Sequence, residues 1–509
     1  MATKKTATKK TAKPGITKTE PVAKPHRISV RMYRHGLGDC FLITIPKPAG
    51  GDFRMLIDCG VVLGADGAAE SMQKVVTHLA ENTPHIDVLV VTHEHWDHVS
   101  GFSQQAERFK GMTFDNVWMA WTEDPADPLA NKLRAERRAA ENALRMAATR
   151  LGLAGQDESA GRVNSLVSFF GASAGSTEAA MTFAKGLAGK GKLRFCKPSD
   201  PPIEIEGLPG VRFWVLGPPR NEKLIKKANP AKGDAYGLDA GPGGSQAFLM
   251  AAAARDLEAV GTAAAGLDVP IQDPFDAEQC IPLERARQIP FFERLYSGDA
   301  GDRGLREKSA DQQGEIVFED YRDQAWRRID SDWLGASETM ALQLDSATNN
   351  TSLVLAIELE ESGDVLLFSG DAQAGNWLSW QDLKWTLGGH MVTGPELLAH
   401  TVFYKVGHHG SHNATLKAKG LELMVRDDLV AMVPVNHAMA EKKGWGKMPL
   451  PDLMAQLRAK SRGRVLSIDD EVKANTDLAA LKPADVTAEE WKQFTDRVDA
   501  QELYYEITF

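Results

Sequence analysis

Residues 92–98 read Thr-His-Glu-His-Trp-Asp-His (THEHWDH), and this stretch decides the fold of the chain. It follows directly on residues 88–91 (VLVV), an apolar run that predicts a buried strand. Alternate residues of an extended chain share a side, so we expect His93 and His95 to face the same way. Imidazole nitrogens are good ligands for zinc and related divalent cations. The stretch therefore predicts a metal site where a buried strand ends.

Asp97 and His98 lie in the same stretch and are expected to turn to the neighbouring side. Together with the two preceding histidines they form nitrogen and oxygen ligand sets for a pair of divalent cations. A purely structural role would bury four polar groups at a strand end without partners, which is costly. The pattern therefore favours a dinuclear metal site.

Two later clusters also follow apolar stretches. Asp371 ends Ser-Gly-Asp after DVLLF, where a carboxylate beside a glycine can approach and bridge two ions, or instead cap the next helix. His408 and His409 lie in KVGHHGSH, residues 405–412, where one ring can bind a metal and the other can contact substrate. Asp58 ends another strand, in LIDCG, and could orient a metal ligand.

Three neighbours of the paired histidines are candidates for substrate contact. Lys405, Ser411 and His412 could bind a substrate phosphate or protonate a leaving group, with His412 as the general acid. Lys405 is equally well explained as an ordinary charge at a strand edge. Both interpretations stay open at the level of the sequence.

Composition and charge limit the possible classes of protein. The 509 residues are 43% hydrophobic and 25% charged, which is typical of globular proteins. Residues 1–25 hold seven lysines and one glutamate and predict a disordered basic tail, so the chain's charge of −10 leaves −16 for the rest. An acidic body argues against a broad nucleic-acid-binding face. No apolar run is long enough for a membrane span, and no signal peptide is evident.

The four cysteines are widely spaced and form no Cys-X-X-Cys pair. This spacing argues against a disulfide framework and against a cysteine zinc site. It favours free thiols in a reducing compartment. We therefore expect a cytoplasmic protein with no membrane contact, and the sequence does not indicate its oligomeric state.

Strand and helix patterns alternate in both halves, which predicts a layered α/β protein. Strand patterns lie at residues 28–45 (a hairpin around a glycine turn), 53–60, 88–91, 211–219, 351–359, 364–371, 402–411, 429–436, 464–469 and 503–509. Helix patterns lie at residues 70–82 and 450–461. Two helical insertions are predicted at about residues 125–190 and 220–340, the second with a glycine-rich loop at 233–244 and helices at 246–265 and 320–334.

The first insertion contains a helix with an apolar stripe and five arginines between residues 134 and 150. These arginines could form a basic lid over a substrate. They could equally cover a solvated helix face.

The order IDxG, HxHxDH, GD and a late histidine resembles the metallo-β-lactamase superfamily. Three longer motifs resemble the hydrolase domain of the ComEC/Rec2-type competence channels. They are HGLGDCFLI at residues 35–43, NNTSLVLAIEL at 349–359 and KVGHHGSH at 405–412. The resemblance spans about residues 28–120, 193–219 and 345–509. The membrane channel itself is not part of this chain, so DNA uptake is not implied.

The resemblance implies a four-layer αβ/βα sandwich with two divalent ions, Zn²⁺ or Mn²⁺, at one sheet edge. His93 and His95 would hold the first ion, Asp97 and His98 the second, and Asp371 would bridge them. His408 or His409 would complete the second ion, and Asn350 would support the site or contact substrate. The superfamily usually supplies one more histidine before GD, but residues 99–389 contain none, which predicts a weak first site.

A two-metal site lowers the pKa of bound water towards ~7 and stabilises the oxyanion that develops on attack. The sequence thus predicts a metal-dependent hydrolase, with Asp97 orienting the nucleophile. The subgroup resemblance favours a phosphodiesterase or nuclease-like activity on a nucleic acid or nucleotide. Two alternatives remain, namely hydrolysis of a carbonyl ester, thioester, lactone or lactam, and a regulatory module that binds a partner around a structural metal site.

Overall fold

Apolar residues occupy both faces of most strands, because two sheets are stacked with helices outside them. The computed structural model describes residues 28–230, 285, 288–290, 305–310, 316–320 and 336–509, apart from the single positions 154, 172, 174, 190, 191, 444, 446 and 447. The predicted tail at residues 1–25 and the glycine-rich loop and helix predicted at 233–265 lie outside these residues.

The first sheet has eight strands in the order β17-β18-β1-β2-β3-β4-β5-β6. Its C-terminal strand β18 pairs with the N-terminal strand β1, while β3, β4, β5 and β6 run parallel. The strands are β1 (Ser29–Tyr33), β2 (Phe41–Pro46), β3 (Asp52–Ile57), β4 (His85–Val91), β5 (Thr113–Ala120), β6 (Leu193–Cys196), β17 (Val498–Ala500) and β18 (Tyr504–Thr508).

The second sheet has six strands in the order β16-β15-β14-β11-β10-β7. Here β11, β14, β15 and β16 run parallel, whereas β7 and β10 are antiparallel to their neighbours. The strands are β7 (Val211–Gly217), β10 (Val354–Leu359), β11 (Asp364–Phe368), β14 (Thr401–Lys405), β15 (Val430–Val433) and β16 (Val465–Ser467). Two separate hairpins are β8 (Leu305–Ala310) with β9 (Ile316–Asp320), and β12 (Lys384–Leu387) with β13 (His390–Thr393).

The core between the sheets follows from strand alternation. In β4, Val88 and Val90 face the second sheet, whereas Leu89 faces the helices on the outer side. Aromatic pairs join the two sheets, as where Phe41 meets Phe368 edge-on with ring centroids 6.0 Å apart. Separate apolar clusters form under the helices on both outer faces. The predicted four-layer α/β sandwich is confirmed.

The helices fill the outer layers and the first insertion. They are α1 (Ala68–Asn82), α2 (Trp96–Gln104), α3 (Ala106–Lys110), α4 (Pro128–Leu153), α5 (Asp157–Val167), α6 (Ser176–Leu187), α7 (Glu222–Ile225), α8 (Ala336–Asn349), α9 (Ala374–Trp380), α10 (Gly394–Ala399), α11 (His437–Lys442), α12 (Pro451–Lys460) and α13 (Ala488–Thr495). Among the described helices, none has the length and apolar character that crossing a membrane requires.

Most predicted elements appear within a few residues of their expected bounds, including the first hairpin, the two helices and the strands of both sheets. The second insertion differs from the prediction. Its described parts include the β8–β9 hairpin, so residue 320 ends a strand, and residues 321–334 of the predicted helix lie outside the described chain. Helix α8 was not predicted, although its buried end lies beside the candidate site.

Parallel strands bring the predicted site residues to one end of each sheet. Asp58 follows β3 and Thr92 follows the adjacent β4, while Asp371 follows β11 and His408 follows the adjacent β14. Because neighbouring parallel strands end at the same edge, these residues are neighbours despite their separation in sequence. The two edges face each other across the interior.

Candidate metal centre

Asp58 connects the ends of β3 and β4. Its carboxylate accepts the Thr92 backbone N–H at 2.8 Å and the Thr92 hydroxyl at 2.6 Å. The same carboxylate lies 2.8 Å from Nδ1 of His98. Asp58 has a φ of 55°, a left-handed conformation that turns the chain out of the strand. Asp58 thus fixes one edge of the His98 ring, and the opposite Nε2 points into the site.

His98 Nε2 faces carboxylates from both sheets. It lies 3.1 Å from Asp371 Oδ2 and 3.8 Å from Asp97 Oδ2. His409 Nε2 lies 2.8 Å from the same Asp97 oxygen and 3.8 Å from Asp371, and its Nδ1 is 2.7 Å from the Pro434 carbonyl. One ligand atom from each of four buried residues lies within 4.8 Å of all the others, and these residues are Asp39, His98, Asp371 and His409.

His93 and His95 form a second pair beside this group. Nε2 of His93 and Nδ1 of His95 are 3.1 Å apart, and each residue is 1% exposed. Burial and the neighbouring histidines hold the pKa of His93 well below its usual value, and burial lowers that of His95 to about 3. Both rings are therefore neutral at pH 7 and can offer lone pairs to a cation.

Lys405 is a buried member of the centre rather than a strand-edge charge. Its Nζ lies 2.5 Å from Asp39 and 3.1 Å from Asp371, and it donates to the Gly370 carbonyl at 2.8 Å. Burial opposes its charged form, but the two carboxylates outweigh burial and raise the pKa of Lys405. The ammonium thus offsets part of the negative charge that gathers at the sheet ends.

The charges and the unpaired atoms of this cluster fit divalent cations. Burial opposes the charged form of His98, yet the surrounding carboxylates raise its pKa well above the usual value, which marks an excess of negative charge. Within the described residues, Oδ1 of Asp97, Oδ1 of Asp39 and Nε2 of His95 are buried without a hydrogen-bond partner. Buried unpaired polar atoms are costly, and a bound cation together with its water ligands would satisfy the two carboxylate oxygens.

The two adjacent histidines after β14 have different surroundings. His409 belongs to the cluster, whereas the ring of His408 lies apart, with Nδ1 2.8 Å from the Ser411 hydroxyl and Nε2 3.4 Å from the Asn349 amide. The His408 backbone N–H donates to Asp371 Oδ1 at 2.9 Å. Burial lowers the pKa of His408 to about 4, so its ring is neutral at pH 7.

The other residues predicted to contact substrate, Asn350, Ser411 and His412, are not among the four clustered residues. The Asn350 amide donates to the carbonyls of Ile225 and Lys227 and accepts from the Gln373 N–H, so backbone groups use it. Ser411 lies beside His408, and His412 is partly exposed and is not one of the four clustered residues. Roles for these side chains in catalysis stay predictions.

Close backbone approach explains the glycine of the IDCG segment. A Cβ on Gly60 would lie 2.4 Å from the Asp97 carbonyl carbon and 2.5 Å from the His98 nitrogen. The first turn of α2, which carries Asp97 and His98, therefore packs directly on a residue without a side chain.

We expect Gly60→Ala to displace the first turn of α2, to lower the unfolding free energy by about 1–3 kcal/mol, and to lower metal content. Thermal denaturation and elemental analysis of the purified protein measure both effects. Gly186→Ala is the control, because this exposed helical glycine has open space around it. The unfolding free energy of that variant should rise by about 0.5–1 kcal/mol. Normal stability and metal content in Gly60→Ala would contradict the close approach.

The segment between β4 and α2, residues 92–95, is called the metal loop. The first insertion contacts this loop through Glu94, which lies between the two paired histidines. Arg137 of α4 forms a buried ion pair with Glu94, and the Thr177 hydroxyl donates to the same carboxylate at 2.9 Å. Neighbouring arginines of α4 contact Thr122, Glu178 and Glu141. The described arginines thus pair with acidic and backbone groups of the chain, and a basic lid over substrate stays a prediction.

Aromatic residues of the first insertion cover the His95 ring. Phe169 and Phe170 lie with ring centroids 5.2 and 5.1 Å from that of His95. Trp445, from the other half of the chain, stacks on Phe169 at 4.6 Å. The centre therefore has an apolar wall on the side of the paired histidines.

A second group of possible ligands lies at the opposite end of β4 and β5. It contains His85, Asp87 and Asp115, of which His85 is exposed. Asp87 already pairs with Lys47 at 2.6 Å and accepts the Arg54 N–H. This group lacks the buried unpaired atoms of the main cluster within the described chain.

The site neighbours that the sequence analysis does not single out include, among the described residues, Asp39, Asp345, Asn349 and Gln373. Asp39 has a signal in the sequence, since Gly36 and Gly38 place it in a turn between two apolar strands. Asp345 and Asn349 are four residues apart and share one face of α8, beside the buried residues Met340, Ala341 and Leu344. Polar residues on a buried helix face were the available signal.

Comparison with known proteins agrees with this architecture. Residues 33–128 match the family model of the metallo-beta-lactamase superfamily. The match covers strands β2 to β5, the Asp58 turn and the HxHxDH stretch, and it does not distinguish subgroups. No curated protein matches the chain significantly. The superfamily domain and the buried histidine–aspartate cluster together support a metal-dependent hydrolase.

Proposed function

We propose that the chain is a metal-dependent phosphodiesterase. The observation that carries this proposal is the oxygen-rich cluster, in which Asp39, Asp97 and Asp371 surround two histidines. Oxygen ligands suit hard cations such as Mn²⁺, which also bind phosphate oxygens well. The subgroup resemblance of the sequence points to the same substrate class.

In this proposal Asp97, His98 and His409 would hold one ion, His93 and His95 would hold the other, and Asp371 would serve both. Divalent cations bound here would lower the pKa of water towards ~7 and stabilise developing negative charge. Asp97 Oδ1, which has no partner within the described residues, is available to accept a proton from the attacking water. Asp58 and the Pro434 carbonyl keep the His98 and His409 rings oriented.

His408 is the proposed substrate contact, in preference to His412. The Ser411 hydroxyl donates to Asn413 at 2.8 Å, so it can accept from Nδ1–H of His408, which leaves Nε2 as an acceptor. A neutral ring in this tautomer can accept a proton or a hydrogen bond from substrate. The amide nitrogens of Asn349 and Gln373 lie on either side of the ring, 3.4 Å from Nε2 and 3.3 Å from Nδ1.

The net charge limits the size of the proposed substrate. The body of the chain beyond residue 25 carries −16, which disfavours long duplexes held through many phosphates. A nucleotide or a short single-stranded oligonucleotide is therefore the proposed substrate.

A carbonyl hydrolase is the second candidate, because Phe169 and Phe170 line one side of the centre. An apolar wall suits the acyl part of an ester, thioester or lactone better than a nucleotide phosphate.

The test uses purified protein, stripped with a chelator and reloaded with Mn²⁺ or Zn²⁺. We expect turnover of bis-p-nitrophenyl phosphate, of a short single-stranded DNA or RNA, or of both, and loss of that turnover after metal removal or in Asp97→Ala. Turnover of p-nitrophenyl acetate, a lactone or a thioester without phosphodiester cleavage would favour the second candidate. Tight metal retention with no turnover of any substrate would favour a regulatory module.

A further inference from the structure

The paired histidines lack the third ring that the superfamily pattern supplies, since residues 99–389 contain no histidine. Helix α8 brings a carboxylate to this gap. Asp345 Oδ1 lies 3.8 Å from His95 Nε2, and both atoms are buried without a hydrogen-bond partner in the described part of the chain. Asp345 itself is 5% exposed. Two unpaired buried atoms of opposite hydrogen-bonding character thus face each other.

The geometry of the His95 ring separates the two possible roles of Asp345. Nδ1 of His95 faces His93 Nε2 at 3.1 Å, so a cation shared by the pair takes this edge of the ring. Nε2 is on the opposite edge and faces Asp345. Asp345 therefore faces the side of the His95 ring that would be turned away from the cation.

We infer that Asp345 is a positioning residue that accepts the Nε2–H of His95 and leaves Nδ1 free to bind the first metal ion. This inference rests on the metal centre proposed above. A carboxylate on the far nitrogen of a metal-binding imidazole fixes the tautomer, fixes the ring plane and makes the ring a stronger ligand. At a site with two histidines instead of three, that support compensates for the missing ligand.

The surroundings of Asp345 support a functional reason for its presence. Asn349, one turn further along α8, donates to Asp345 Oδ2 at 3.2 Å and so orients Oδ1 towards His95. A carboxyl group in this position opposes stability when no cation is bound, so packing alone does not explain it.

The test measures metal affinity and stability in Asp345→Ala and Asp345→Asn. In Asp345→Ala we expect affinity for the weaker of two bound ions to fall about 10–100-fold. We also expect the metal-free protein to melt at the same or a higher temperature, because an unpaired buried carboxyl is gone. In Asp345→Asn the amide oxygen can still accept the Nε2–H, so most of the affinity should return. Titration calorimetry with Mn²⁺ or Zn²⁺, elemental analysis and thermal denaturation give these values.

Thr348→Val is the matched control, since Thr348 is buried on α8 and its hydroxyl donates to the Leu344 carbonyl of the same helix. It should leave metal affinity unchanged. Equal loss of the ion in Asp345→Ala and Asp345→Asn would overturn the inference in favour of direct ligation. Unchanged affinity with a lower melting temperature would overturn it in favour of a structural role. Failure of the parent protein to bind any divalent ion would instead remove the proposed metal centre.

Discussion

Asp371→Asn is expected to abolish stable metal binding at the shared position and to lower kcat/KM by at least about 10³-fold, which corresponds to several kcal/mol. The carboxylate contacts both a candidate ligand and the buried ammonium, with Oδ2 3.1 Å from His98 Nε2 and Oδ1 3.1 Å from Lys405 Nζ. An amide has nearly the same shape but no negative charge, so the fold should persist while the cluster loses its central anion. Elemental analysis and steady-state kinetics of the reloaded protein measure both effects.

Asp115→Asn is the control for this variant, because Asp115 belongs to the second, more exposed group of possible ligands at the far end of β4 and β5. It should retain the full metal content and activity. The assignment of the centre would be wrong if Asp115→Asn lost metal while Asp371→Asn kept it.

Lys405→Met should lower the unfolding free energy of the metal-free protein by about 3–5 kcal/mol. Lys405 is 1% exposed and lies between two buried carboxylates, so its removal leaves both without their nearest cation. Added Mn²⁺ or Zn²⁺ should recover part of the loss, since a divalent cation supplies positive charge to the same carboxylates. Urea denaturation with and without metal gives the two free energies.

Two further variants separate charge from packing in that experiment. Lys384→Met, on an exposed strand of the β12–β13 hairpin, should change stability by no more than about 0.5 kcal/mol. Adding Asp39→Asn to Lys405→Met should restore stability relative to Lys405→Met alone, because one of the stranded anions is removed. A Lys405→Met protein as stable as its parent would show that the buried ion pairs contribute nothing.

The sequence predicts the sandwich well because its determinants are local. Strands such as 88–91 and 365–368 are continuous apolar runs, and each is followed within three residues by a histidine or an aspartate. Parallel pairing of neighbouring strands then brings such residues together at one end of each sheet. The proximity of Asp58 and His98 follows from this rule, whereas Asp371 reaches His98 because the second sheet packs on the first.

What the sequence did not predict depends on packing between distant segments. Asp39 contributes through a turn whose direction is set by Gly36 and Gly38, both with positive φ. In the sequence Lys405 resembles an ordinary charge at the edge of a strand. In the structure it is buried where Asp39, before β2, and Asp371, after β11, pack against it. The different surroundings of His408 and His409 depend on backbone angles, φ of 43° and 52°, that two identical neighbouring residues do not reveal.

The ion pair of Glu94 with Arg137 also bears on how such proteins can be altered. Glu94 is buried within the metal loop, and its counter-ion comes from a helix that begins more than 30 residues later. A chimera in which a short linker replaced that helix would leave the Glu94 carboxylate without its counter-ion beside two imidazoles. Grafting a different insertion onto this scaffold would therefore require an arginine in register, or an uncharged residue between the two histidines.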